Sequence, residues 1–241
     1  MFPDKNPLSN YTGRGIRVGI IDSGVNPAHP HVAGVAGGIR ISPGDVVEAD
    51  DYLDYIGHGT AVAGAIREKV HDVILIAVKV FDRALTTNIE AIVKAVDWCS
   101  RNEIDVINLS LGTINNDHRR VIEECISNAS EKGSIVVAAR QMSGQSSLPG
   151  CLPAVVGVEA DWELNRDRYA FKRVDGDVVF LASAYPRDIP GVPRERNLKG
   201  ISFAVANMTG FVARACEHSP DASVEEIKEL LIESVKLNEA K

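Results

Sequence analysis

Residues 16–24 read IRVGIIDSG, an apolar run that gives way at once to an acidic residue and a Ser-Gly turn. Runs of the same kind stand at 73–78 (VILIAV), 104–109 (IDVINL), 134–139 (SIVVAA), 154–158 (AVVGV) and 178–182 (VVFLA). Val and Ile in succession, without polar alternation, suit strands covered on both faces. Amphipathic stretches at 60–68, 88–101 and 116–131 lie between these runs, and two more close the chain at about 202–217 and 224–236. Helices recurring between such strands suit right-handed parallel crossovers. The sequence therefore predicts an α/β fold, a three-layer α/β/α sandwich around a mostly parallel sheet. Ser223-Val-Glu-Glu226 predicts a capping box at the start of the last helix.

With 241 residues and 45% apolar content, the chain fits one α/β domain spanning 1–241, and no linker or repeat divides it. Its net charge of −7 is spread without a basic block, which argues against a nucleic-acid partner. No apolar stretch reaches the length of a membrane span or a signal peptide, and the expected location is the cytoplasm. Cys99, Cys125, Cys151 and Cys216 are widely separated, as free thiols in a reducing compartment would be. Oligomeric state leaves no mark in the sequence.

Three residues at element boundaries carry the candidate chemistry. Asp22 follows the first apolar run, His58 opens GHGTAVAGAI between two glycines, and Ser202 lies in LKGISFAVANMTGFVA. Each alone has a structural explanation: a turn cap, a helix start, a first-turn serine. Together they supply what serine nucleophilic catalysis needs, which is a hydroxyl, a base to take its proton, and a carboxylate to orient that base and stabilise its cation.

The order Asp, His, Ser, with VGIIDSG, GHGTAVAG, DVINLSLG (105–112) and GISFA around them, resembles the subtilisin-like serine proteases, or subtilases. The resemblance runs from about residue 15 to 235. It implies that Asp22 orients the imidazole, that His58 is general base and then general acid, and that Ser202 attacks the scissile carbonyl of a peptide or protein substrate. Ser110, Leu111 and Gly112 match the substrate-binding edge, where a peptide adds as an extra strand. In the family, the strand matching SIVVAA is followed by Gly-Asn, whose Asn donates to the oxyanion. Here Arg140-Gln141 stands at that place. Gln141 either supplies the amide donor from one methylene further out or is a misaligned loop residue, and Arg140 is expected on the solvated surface or in the first specificity pocket.

Other departures from the family pattern are Ile201 for Thr, Ala206 for Pro, Ala61 for a second His, and a shortened 141–150 segment. Secreted members carry a signal and a folding pro-segment, and the first catalytic strand here begins too early for either. No cofactor is expected. No metal is expected either, since Asp50, Asp51 and Asp54 lack the spacing of an oxygen-rich cation loop. These features together imply a serine endopeptidase of narrow specificity, possible work for which is the removal of a leader from a small peptide precursor. The alternative is a subtilase-like module that binds or assembles peptides with weak or no turnover.

Overall fold

The computed structural model describes residues 7–42 and 46–239. The expected domain ends at 1 and 241 lie outside the described residues. In chain order the first elements are β1 (Arg17–Asp22), β2 (Gly37–Ser42), β3 (Val46–Ala49), α1 (His58–Lys69), β4 (Ile74–Lys79) and α2 (Ile89–Arg101). They are followed by β5 (Val106–Leu109), α3 (Arg119–Glu131), β6 (Ile135–Ala139) and a small hairpin of β7 (Gln141–Met142) and β8 (Gln145–Ser146). The remainder is β9 (Val156–Asp161), β10 (Tyr169–Val174), β11 (Asp177–Ser183), α4 (Ile201–His218) and α5 (Val224–Glu239).

Nine strands form one sheet in the order β10-β11-β9-β6-β5-β1-β4-β2-β3. The seven inner strands run parallel, and an antiparallel partner closes each edge, β3 on β2 and β10 on β11. β1 sits between β4 and β5, so the chain leaves it to one side and later returns on the other. Such a switch in strand order opens a crevice at the strands' carboxyl ends, and Asp22 is the last residue of β1.

The three-layer expectation holds. Val18 and Ile20 of β1 join a core with α1, α4 and α5, while Ile21 faces a second core with α2 and α3. Gly19 brings the sheet close to α2: a Cβ there would lie 3.0 Å from Cys99 Sγ and 3.1 Å from Ile104. The segment expected as a helix over 116–131 starts with a 3-10 turn at Asn116–His118, because the Asn115 side chain accepts from the Asp117 amide. At Ser223 the capping box forms in both directions, with Ser223 N donating to Glu226 Oε2 (2.8 Å) and Glu226 N donating to Ser223 Oγ (3.3 Å).

On one face α1 and α4 cross at close range. A Cβ on Gly210 would lie 2.5 Å from Lys69 Cβ and 2.8 Å from its Cγ, and Lys69 is itself buried. Gly210→Ala improves helix propensity by about 0.8–1 kcal/mol, whereas overpacking a tight crossing costs about 1–3 kcal/mol. The clash is expected to win, giving a lower urea midpoint with an unchanged m-value. A raised midpoint would show that the two helices separate freely at this point.

Candidate active site

Asp22 is carried to the carboxyl end of the central strand and is buried, with 1% of its side chain exposed. Its Oδ1 accepts from the Ser23 amide (2.7 Å) and from His58 Nδ1 (2.8 Å). A carboxylate only accepts, so Nδ1 carries the hydrogen and Nε2 is the ring atom that faces the cleft's chemistry. His58 is the first residue of α1. The helix start reaches Asp22 because Gly59 has no side chain: a Cβ there would lie 2.1 Å from the Gly24 carbonyl and 3.2 Å from Asp22 Oδ1. Gly24 in turn adopts a φ of 95° against the Tyr52 carbonyl, which accepts from Val25 N at 2.8 Å.

Ser202 enters from the other half of the sheet. Gly200, the residue before α4, has a φ of 145° that disfavours any side chain, and its amide donates to the Ala184 carbonyl (2.8 Å). This sharp entry places Ser202 in the first turn of α4, where backbone amides have no helical partner. Its hydroxyl donates to the Ser110 carbonyl at 3.5 Å. Among the described residues no hydrogen bond joins Ser202 to His58; the neighbouring Phe203 ring lies 5.5 Å from the imidazole. A loose nucleophile–base contact is common before substrate arrives.

Ser110, Leu111 and Gly112 continue past the end of β5, half-buried, beyond the last sheet pairing at Leu109. The next residue, Thr113, exchanges two backbone hydrogen bonds of 2.9 Å with Leu148. Gly112 is required there, since a Cβ would fall 2.4 Å from the Leu148 carbonyl. Two residues that the sequence did not single out hold α4 in place, one against this edge and one against the end of β11. Buried Asn108 donates to Thr209 Oγ1 (2.9 Å) and accepts from Ser110 Oγ (3.0 Å). Asn207 similarly donates to the Ser183 and Tyr185 carbonyls, both at 3.0 Å, tying α4 to the segment that leads to Ser202. A polar side chain in the apolar run of 104–109, and another in the last helix but one, were the available signals.

Gln141 is exposed in the β7–β8 hairpin, paired by its backbone to Ser146. No hydrogen bond links it to Ser110, His58 or Ser202 among the described residues. Arg140 departs from the solvated position expected of it: its side chain is 13% exposed and lies 3.9 Å from Asp177. Backbone crowds the end of β6 there: a Cβ on Gly150 would lie 2.1 Å from the Ala139 carbonyl and 2.7 Å from Arg140 N, and one on Gly157 3.6 Å from Arg140 Cβ. On the far side of His58, a cleft of about 240 Å³ is lined by Gly57, Thr60, His29, His31, Arg187 and Leu198 among others.

Burial lowers the His58 pKa, but the hydrogen bond it donates to Asp22 and the charges of Asp22 and Asp54 outweigh it, and the net shift is upward. The imidazolium therefore stabilises the fold. That contribution is complete below the ordinary histidine value of about 6.5 and is lost as pH rises through the raised folded value. All four cysteines are free, and burial pushes the Cys125 thiol up to about 11 and the Cys216 thiol up to about 12. No group of His, Cys, Asp and Glu suited to a metal ion occurs among the described residues.

These directions make a titration decisive. By NMR, His58 is expected to titrate above the ordinary histidine value in the native chain and below it in Asp22→Asn, where burial, the largest single influence, acts with less opposition. A midpoint that ignores Asp22→Asn would mean that the carboxylate does not govern the ring.

Comparison with known proteins agrees with this geometry. A model of the subtilase family matches residues 13–157, a span that holds Asp22, His58 and the 110–112 edge but stops short of Ser202. Subtilisin DY of Bacillus licheniformis is 28% identical across 95% of this chain and 86% of its own length. Subtilisin of Bacillus pumilus is 30% identical across 83% of this chain and 73% of that protein. With subtilisin NAT of Bacillus subtilis subsp. natto the identity is also 30%, but the chain spans about half of that relative, 52%. Among solved structures, sphericase superposes with a TM-score of 0.71 at 21% identity, covering 93% of this chain and 84% of that one. A cold-adapted subtilisin-like serine proteinase gives 0.71 at 20% identity, so the fold is shared well beyond sequence likeness. The chain belongs to the subtilase family.

Proposed function

We propose that this chain is a serine endopeptidase that cleaves an extended peptide through an acyl-enzyme. The observation that carries this reading is the 2.8 Å contact of His58 Nδ1 with buried Asp22, set beside the helix start that bears Ser202. In the proposed reaction the peptide pairs along Ser110–Gly112, and the Ser202 hydroxyl turns from the Ser110 carbonyl toward His58 Nε2. Its oxygen attacks the scissile carbonyl as Nε2 takes the proton. Asp22 stabilises the imidazolium, which then protonates the leaving amine, and water repeats the sequence to release the acid. Backbone amides in the first turn of α4 are aimed where the oxyanion forms, with Gln141 as the candidate side-chain donor.

The narrower part of the reading concerns substrate and place. The largely covered Arg140 beside the Ser110–Gly112 edge's partner segment favours a restricted substrate over general digestion, and leader removal from a small peptide precursor fits that restriction. The four free cysteines support a reducing compartment, hence the cytoplasm. A binding module without turnover is the second reading, favoured by one observation: the resting Ser202 hydroxyl bonds to Ser110 rather than to His58.

A fluorophosphonate probe separates the two, because only an activated serine labels. Native protein is expected to label at Ser202; Ser202→Ala is expected to lose detectable turnover while keeping the native melt, and His58→Ala to lose turnover with a lower melt, since it strands the Asp22 carboxylate. Since His58 must be neutral to accept the proton and its pKa is raised, the acid limb of kcat/KM should fall above the ordinary histidine value. Absence of labelling in folded native protein would establish the binding module instead.

Gln141 provides a separate test. If its amide reaches the oxyanion when substrate is bound, Gln141→Ala lowers kcat by about 10²-fold, the order of magnitude an oxyanion donor supplies in this family, with little change in KM. Gln141→Asn is then also slower than the native enzyme, because the shorter amide falls out of reach. Native kcat in the alanine variant would leave the oxyanion to backbone amides alone.

A further inference from the structure

Asp50, Asp51 and Asp54 form an acidic cluster in sequence, and the structure gives them different tasks. Asp51 pairs with Arg40 at 3.0 Å. Asp54 turns inward, and its two oxygens take five hydrogen bonds. Oδ1 accepts from Ser23 Oγ (2.9 Å), Ile56 N (2.9 Å) and Gly57 N (2.8 Å), while Oδ2 accepts from Thr60 N (2.9 Å) and Thr60 Oγ1 (2.6 Å). Ser23 Oγ accepts in turn from Gly59 N (2.9 Å). The amides of residues 56, 57, 59 and 60 thus end on one carboxylate, directly or through the hydroxyl of the residue beside Asp22. The segment that presents Asp54 is braced from β4, where buried Lys79 donates to the Leu53 carbonyl (2.8 Å) and lies 4.3 Å from the Tyr55 ring centroid.

We propose that Asp54 is a positioning residue for the reacting pair, a second anion that locks the His58 ring onto Asp22 and stabilises its protonated form. The proposal rests on the serine peptidase reading. Its physical basis is the place of His58 on the helix. The first residue of α1 lies at the positive end of the helix dipole, equivalent to roughly +0.5 charge, which disfavours an imidazolium. Gly57 caps that helix without a side-chain hydrogen bond, and the first turn holds no acidic residue. Asp54 supplies the missing cap from outside the helix, and its full negative charge outweighs the half-charge of the dipole. It remains ionised, because although burial raises its carboxyl, the bonds from Thr60, Gly57 and Ile56 prevail and hold it below the ordinary value. The anions acting on His58 are therefore Asp22 from β1 and Asp54 from the α1 entry. His29, His31 and Arg187 line the adjoining cleft, and Phe203 of α4 adds an uncharged ring.

Asp54→Asn keeps the shape and removes the charge. In folded variant protein, the His58 midpoint by NMR is expected to move down, and the acid limb of Ser202 labelling by a fluorophosphonate to move down with it. The plateau of kcat is expected to fall about tenfold, within the roughly 10²-fold that a displaced reacting group costs, while KM stays near native. A lower melt with His58 midpoint, acid limb and plateau all at native values would reduce Asp54 to a helix cap and overturn the proposal. Should Asp54→Asn not fold, Ser23→Ala cuts only the relay to Gly59 and leaves the charge. It is expected to lower the plateau with little movement of the midpoint, and a native plateau there would overturn the proposal equally. If native Ser202 never labels, the peptidase reading fails, yet the His58 midpoint in Asp54→Asn still decides whether Asp54 acts on the ring.

Discussion

A buried carboxylate with one unsatisfied oxygen governs this structure. Asp22 Oδ1 is bonded twice, but Oδ2 is buried without a hydrogen-bond partner among the described residues. An anion removed from water in this way is costly unless a cation or donor meets it. His58 is the group that meets it, and the attraction grows when the ring becomes an imidazolium. The fold is arranged to permit that meeting. β1 is central, so Asp22 is shielded from both sides by β4 and β5, and the glycines at 24 and 59 let the start of α1 approach the end of β1 to backbone contact.

The strands that hold this arrangement were legible because they are buried on both faces. IRVGII, VILIAV and SIVVAA have no polar alternation to obscure them, and each became a parallel strand within one residue or so of its expected start. The strands that were missed are those with a wet face. β2 (GGIRIS) and β10 (YAFKRV) mix glycine or charge into short edge-proximal segments, and β3 lies at the sheet margin. Turn chemistry was the overlooked signal: Asp175-Gly176 with φ of 52° and 89°, and Ser143-Gly144 with 51° and 78°, are paired left-handed positions that close two-residue hairpins.

The site divides along the same line. Asp22, His58 and Ser202 stand in motifs whose neighbours are small, so their spacing in sequence carries information. Asn108 and Asn207 do not announce themselves, since they work through partners distant in sequence, whereas Asp54 works chiefly through residues two to six positions on. In sequence Asp54 stands only as one carboxylate of a metal loop whose spacing is wrong; its actual partners are amides and hydroxyls, which no count of carboxylates detects. Arg140 shows the opposite error. Its charge suggested solvent, whereas its side chain is only 13% exposed, at the end of β6 where Gly150 and Gly157, residues with no side chain to read, admit neighbouring backbone.

The two halves of the site are built on different elements, and this has a mechanical consequence. Asp22, His58 and Asp54 belong to the β1–α1 unit: Asp22 and His58 are joined by a direct hydrogen bond, and Asp54 is tied to their surroundings through Ser23 and Thr60. Ser202 belongs to α4 and is joined to the substrate edge through Thr209, Asn108 and Ser110. Between the units lie the Phe203–His58 ring contact and the tight crossing of α1 with α4 at Gly210 and Lys69. His58 is thus fixed by electrostatics and Ser202 by helix packing, so the distance between them is set by how α1 lies on α4. In the proposed reaction a peptide pairing along Ser110–Gly112 would take hold of the α4 side of that joint, and its binding would draw Ser202 from the Ser110 carbonyl toward a ring that is already held in place.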